Sequence, residues 1–169
     1  MTTTQSLAER CQKIKLSNDF TLWELIRSTS YPHLVEAPSS EVICALEEFA
    51  NKVLQPLRDA YGIIVINSGY RNPRLNKAVG GVAASVHTIF SADGSFLGVA
   101  ADIVPKEVTV EQIFNEIEKH NLPLKTIILY RKPAVTRSKF LHLDTRTDRD
   151  KLAKMEKVGK ASYSYLSKA

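Results

Sequence analysis

Cysteine is nearly absent: Cys11 and Cys44 are the only two in 169 residues. Two thiols so far apart supply neither a disulfide framework nor a multi-thiolate zinc site, which suits synthesis in a reducing cytoplasm. Long hydrophobic runs are also missing. No stretch approaches the roughly 18 apolar residues of a membrane span, so no membrane partner is expected. The opening segment MTTTQSLAERCQKIKLSNDF has no apolar core of the secretory type, and the expectation is a chain made without a signal peptide. Internal repeats and low-complexity tracts are lacking as well. With 44% hydrophobic and 24% charged residues, the length suits a single domain around one core.

Charge is unevenly spread. The net charge is +5, and residues 146–169 hold seven Lys/Arg against three acids. This divides the chain into a lead-in (1–20), a central domain (21–146) and a basic C-terminal tail (147–169). A basic tail can attract an anionic polymer, or simply be a solvated terminus. Tyr163 and Tyr165 alternate there without forming a dense aromatic and basic platform, so nucleic acid is not expected as a partner.

Periodicity places the elements. A short helix is predicted around Leu7–Ile14, and a capping pattern at Thr21 and Glu24 opens another. The segment Thr29–Ser40 reads as a loop. From Ser40, residues such as Val42, Leu46, Phe49, Val53, Leu54 and Leu57 recur at helical spacing, with Pro56 bending or interrupting the helix near its last turn and Gly62 ending it. Ile63–Asn67 reads as a buried strand. Leu75–Ala78 gives one helical turn before Gly80-Gly81. Two strands are expected at Ala84–Phe90 and Phe96–Val104, joined by a hairpin at Asp93-Gly94. Thr109 caps a further helix, and Thr126–Tyr130 and Phe140–Asp144 are the last two strands. Helices first, then a mostly antiparallel sheet with one more helix on it, define an α+β domain.

His87, Asp102 and His142 stand out because each falls in an expected strand. Together they offer two imidazoles and one carboxylate. Three such ligands leave a bound Zn²⁺ an open fourth position, the pattern of a catalytic site. Asp102 lies in the apolar run Val99-Ala100-Ala101-Asp102-Ile103-Val104, and a buried carboxylate needs a partner or a metal. His33 and His120 match no such motif. Asp144, two residues beyond His142, lies on the same strand face. It can orient a ligand from behind or cap the turn that follows.

The segments SGYRNPRLNKAVGG, Ser85-Val86-His87, Gly98-Val99-Ala100-Ala101-Asp102 and Phe140-Leu141-His142-Leu143-Asp144 resemble those of the zinc D-Ala-D-Ala carboxypeptidase and L,D-endopeptidase family. Phage endolysins and vancomycin-resistance dipeptidases belong to it. The resemblance covers roughly residues 17–146. It implies a D-Ala-D-Ala peptidase-like (Hedgehog-like) fold, one zinc per chain on His87, Asp102 and His142, and Arg71 facing the substrate carbonyl. Ser85 and Tyr70 match positions near the substrate or supporting the cleft. Asn76 and the Gly80-Gly81 pair match cleft supports.

Two departures from the family pattern matter. Ten residues, Thr88 to Leu97, separate His87 from Gly98, where two are usual. Lys139 occupies the position where many members carry the Glu or Asp that serves as general base, and a charged lysine cannot take a proton. The base is thus unassigned, with Asp144 the remaining candidate. The favoured function is a monomeric zinc peptidase acting at the bacterial cell wall on peptidoglycan peptides, next to a D-amino acid, as an endolysin or virion-associated enzyme. The alternatives are a non-catalytic, zinc-retaining module of a virion or assembly, and a cytoplasmic D,D-dipeptidase.

Overall fold

The computed structural model describes residues 6–131, 138–158 and 164–168. The N-terminal half is helical: α1 (Leu7–Gln12), α2 (Leu22–Ile26), α3 (Ser40–Phe49) and α4 (Gln55–Tyr61). The capping patterns form. The Thr21 N–H donates to the Glu24 carboxylate at 2.8 Å, and Thr109 Oγ1 accepts from the Gln112 N–H at 3.1 Å, each satisfying an orphan group at a helix start. The long helix expected from Ser40 is interrupted: α3 and α4 are joined by a π-helical stretch, Ala50–Leu54. Pro56 is the physical cause. It has no N–H, and its ring would strike the carbonyl four residues back; the wider turn moves that carbonyl aside. Gly62 then ends α4 with φ +75°.

The sheet has six strands: β1 (Ile64–Ser68), β2 (Ala100–Pro105), β3 (Thr126–Arg131), β4 (Ser138–Asp144), β5 (Ala153–Val158) and β6 (Ser164–Lys168). Their order is β1-β2-β4-β3-β5-β6. All neighbours are antiparallel except β3 and β5. Between them lie α5 (Pro73–Ala78) and α6 (Val110–Glu116). The α+β expectation holds. The strands β5 and β6 extend the sheet past Asp144, within the segment read from sequence as a basic tail. Its charge conceals the pattern: Lys154 is buried, its ammonium bonded to Glu118 at 2.7 Å and lying over the Phe114 ring.

Strand alternation sorts the residues. Ile64, Ile66, Ala101, Ile103, Ile127, Leu129, Leu141 and Leu143 join the residues of α2, α3, α4 and α6 in one hydrophobic core. Each fully buried Leu or Ile there contributes roughly 1.5–3 kcal/mol. The opposite face carries the residues one position away, including Asp102, Ile128, Phe140 and His142. Among the described residues no helix is long and apolar enough to cross a membrane.

The region between His87 and Gly98 differs from its expected hairpin of strands. Val86–Thr88 is a 3-10 turn, and Phe90 and Phe96 form only an isolated bridge. The Ser85 carbonyl accepts from both the backbone N–H and the hydroxyl of Thr88, at 2.9 and 2.6 Å. Such local bonding competes with a strand ladder. Ile89 then adopts φ +68°, which is costly for a β-branched residue, and is completely buried. Core burial of its side chain compensates a strain of about 1–3 kcal/mol.

Gly69 shows how tightly α2 sits against the end of β1. A Cβ on Gly69 would lie 2.2 Å from the Leu25 carbonyl oxygen, a backbone atom. The next N–H, of Tyr70, donates to that oxygen at 2.7 Å. Gly69→Ala is therefore expected to cost about 2–3 kcal/mol, in the range of forced overpacking. Guanidinium denaturation measures it, and an unshifted midpoint would show that this contact does not constrain the fold.

Candidate metal centre

Sheet register brings two of the three candidate residues together. Asp102 on β2 stands directly opposite His142 on β4. His142 Nδ1 lies 2.8 Å from Asp102 Oδ1. His87 reaches the same oxygen from outside the sheet, its Nε2 at 3.6 Å. The sequence reading places His87 on a strand; it sits instead on the Val86–Thr88 turn. That turn is pinned beside the sheet by the Arg71 N–H, which donates to the His87 carbonyl at 2.8 Å.

One ligand atom from each of His87, Asp102 and His142 lies within 4.8 Å of the other two. The 2.8 and 3.6 Å separations bracket the edge of about 3.4 Å expected for a tetrahedron with bonds of ~2.1 Å. The donor set, two imidazoles and a carboxylate, is chemically suited to zinc or a similar divalent cation. The residues present therefore fit a metal site.

The remaining ring nitrogens are committed. His87 Nδ1 lies 2.7 Å from the Gly69 carbonyl. A carbonyl only accepts, so Nδ1 carries the proton and Nε2 keeps its lone pair for a metal. His142 Nε2 donates to Asp144 Oδ2 at 3.1 Å. Asp144 has no exposed surface, and Arg146 holds it through Nε at 3.0 Å and a terminal guanidinium nitrogen at 2.7 Å. The Arg146 N–H also donates to Asp144 at 3.3 Å. Asp144 thus both orients His142 and caps the following turn. With its oxygens taken up behind the imidazole, it is not placed to act on water at the triad. Sequence reasoning missed Arg146, which looks like one more charge at the start of the tail, and the Gly69 carbonyl, which leaves no side-chain signal.

The electrostatics follow from burial and pairing. For Asp102 burial works upward, but hydrogen bonds from His142 and His87 hold the carboxyl below its usual range. Burial pushes His87 down, outweighing the neighbouring Asp102 charge. For His142 burial is outweighed by hydrogen bonds to Asp102 and Asp144, which raise it to about 9. Asp144, opposed by burial, is held at about 2 by His142 and Arg146.

The triad opens into a cleft of about 410 Å³. Arg71, Ser85, Tyr130, Phe140 and Arg146 are among its walls. Arg71 lies close to Ser85, a guanidinium nitrogen 3.4 Å from Oγ. Its Nε is buried without a partner among the described residues, and burial lowers its pKa despite the Asp102 charge. Tyr130 and Phe140 stack with ring centroids 4.4 Å apart. Tyr70, by contrast, is not among the cleft walls and packs against the core. Asn76 ties down the loop after α5 by donating to the Val82 carbonyl at 2.9 Å. The side chain of Lys139 lies outside the described residues.

A family model described as peptidase M15 matches residues 18–144, most of the chain. The chain belongs to the peptidase M15 family. No curated protein and no solved structure matches it. Membership in a peptidase family agrees with a metal-binding donor set at the base of an open cleft.

Two outcomes test this M15 site. Asp144→Asn leaves all three triad residues intact and should weaken zinc affinity about 10- to 100-fold, the usual cost of losing a partner behind a ligating histidine. Competitive zinc titration measures it. Because His142 is raised to about 9, a metal entering at neutral pH must displace its proton. Apparent zinc affinity should therefore rise about tenfold per pH unit up to roughly pH 9. Affinity that stays constant between pH 6 and 8 would contradict the pairing of His142 with both carboxylates.

Proposed function

We propose that the chain is a zinc-dependent peptidoglycan peptidase, hydrolysing a stem or cross-bridge peptide bond next to a D-amino acid at the bacterial cell wall. The observation that carries this reading is the convergence of His87, Asp102 and His142 at the foot of a cleft walled by Arg71, in a chain of the M15 family. The resemblance to phage endolysins supports an endolysin-like or virion-associated role. One zinc per chain, when bound, supplies an acidified water and polarises the scissile carbonyl.

The protein's own groups then have distinct tasks. Gly69 and Asp144 fix the imidazoles in one tautomer and orientation. Arg71, with an uncommitted buried Nε, offers donors to the charge that develops on the carbonyl oxygen, where a preorganised guanidinium is most effective. Ser85 steadies Arg71. The stacked Tyr130 and Phe140 pair, with Ile128 and Val86, gives the cleft an apolar wall for a peptide.

Proton transfer is the unusual part. Among the described cleft walls Asp102 is the only carboxylate, and it belongs to the triad. Without a dedicated carboxylate base, the proton lost on attack passes to solvent and turnover falls by a factor of about 10²–10⁴. The same observation favours a second reading, a non-catalytic module that retains zinc.

Digestion of purified cell walls, with mass spectrometry of the released muropeptides, separates the two. Zinc-loaded protein should release peptides, and a chelator should abolish the release. Arg71→Ala should lower kcat about 10²- to 10³-fold, the cost of one oxyanion donor, while zinc content is unchanged. Binding to intact walls without any cleavage would establish the non-catalytic reading.

A further inference from the structure

The residues from Thr88 to Leu97, between His87 and Gly98, are bonded towards both ends of the metal centre. Their base is closed by the Leu97 N–H, which donates to the Ile89 carbonyl at 2.7 Å, and by the Phe90–Phe96 bridge, with ring centroids 5.6 Å apart. Just beyond the Ala100–Asp144 pair that ends the β2–β4 ladder, the same chain is fastened to residues 145–147. The Thr145 N–H donates to the Val99 carbonyl at 3.0 Å, and the Thr147 N–H to the Leu97 carbonyl at 3.1 Å. Two side-chain bonds reinforce them. The Val99 N–H donates to Thr145 Oγ1 at 3.0 Å, and Thr147 Oγ1 donates to the Phe96 carbonyl at 3.1 Å. Between these bonds Gly98, at φ +112°, lies so close to Arg146 that a Cβ would come 2.7 Å from the Arg146 Cα.

The backbone of Arg146 is thus held by the segment that begins at His87. Its guanidinium in turn grips the wholly buried Asp144, which orients His142. A path of backbone and hydrogen bonds therefore joins one imidazole to the other without passing through Asp102. It runs from the His87 turn through Ile89 and Leu97, across to Thr147, and back through Arg146 and Asp144. Among the described residues, Phe96, Leu97, Val99, Thr145 and Thr147 are not walls of the triad cleft. Their bonds do not shape that cleft; they fix the backbone that carries Arg146. Fixing it matters, because a guanidinium bound to a carboxylate through two nitrogens is exacting in geometry.

We propose that residues 88–97 are a strap that couples the two imidazoles, and that Arg146 is the positioning residue through which the strap acts. The strap sets the geometry that His87 and His142 offer a divalent cation, alongside the sheet register that places Asp102. The inference rests on the metal-site reading and not on peptide cleavage. Linkage makes the coupling reciprocal: whatever the strap adds to cation affinity, the bound cation returns as stability of the strap.

Thr147 is exposed and outside the cleft walls, so it tests the strap without touching a ligand. Thr147→Val removes the bond to Phe96 and keeps the side-chain shape. Zinc affinity, measured by competitive titration, should fall about threefold to tenfold, below the 10- to 100-fold cost of losing a ligand's direct partner. The visible spectrum of the cobalt-loaded variant, which reports ligand geometry, should change as well. Thr147→Ser keeps the hydroxyl and should restore both. In the unsubstituted protein, zinc should slow hydrogen exchange at the Leu97 and Thr147 amides by about threefold or more, a readout independent of any variant. Unchanged zinc affinity and cobalt spectrum in folded Thr147→Val overturn the proposal, even if its thermal stability falls. Exchange at those amides that is indifferent to zinc overturns it too. If no cation binds, the metal reading fails, and nitrogen NMR of the imidazoles in the metal-free protein still decides the coupling. Thr147→Val moving the resonances of both His87 and His142 supports it; moving one or neither refutes it.

Discussion

The register of β2 against β4 is the constraint on which the site depends. It sets Asp102 opposite His142, and a slip of one residue would turn one of them into the core. The core itself prevents that slip. Ala101 and Ile103 on one strand, and Leu141 and Leu143 on the other, are completely buried on the far face. The hydrophobic free energy that folds the sheet therefore also aligns the two polar side chains. This is why a polar cluster persists opposite the buried Ala101, Ile103, Leu141 and Leu143.

Around that pair, each further element removes a degree of freedom. The turn at Val86–Thr88 is tied to Arg71 by its backbone, and His87 is tied to Gly69 by its ring. Asp144 is immobilised by Arg146 and in turn immobilises His142. Two carboxylates buried beside one imidazole favour a proton on that imidazole, so the protein stores the position of a cation whether the charge comes from a proton or a metal. Gly69 links this centre to α2. It gives its carbonyl to His87 and its missing side chain to the close approach of α2.

Much of the fold was legible because its signals are local. The capping residues Thr21 and Thr109, the strand runs from Ile64 and from Thr126, and the break at Pro56 all act within one or two turns of chain. Asp102 was legible because a carboxylate in an apolar run demands a partner. Other features were hidden for equally physical reasons. Val86 and Ile89 look like strand residues, but the Thr88 hydroxyl and the buried Ile89 side chain impose a turn instead. The strands β5 and β6 were masked by lysines such as Lys154, whose charge is neutralised only by Glu118, distant in sequence. Arg146 looked like one charge in a basic tail, and its bond to Asp144 exists only once β4 has formed. Tyr70, matched to a position near the substrate or supporting the cleft, packs on the core, while its neighbour Arg71 takes the cleft.

The central claim is that two imidazoles and one carboxylate share a single divalent cation. X-ray absorption at the zinc edge, on protein loaded with one equivalent, tests it most directly. The account predicts a first shell of two imidazole nitrogens and two light oxygen donors at about 2.0–2.1 Å, with no sulfur, and loss of an imidazole contribution in His87→Ala and in His142→Ala. A sulfur shell near 2.3 Å, or a first shell unaltered when either histidine is removed, would contradict it.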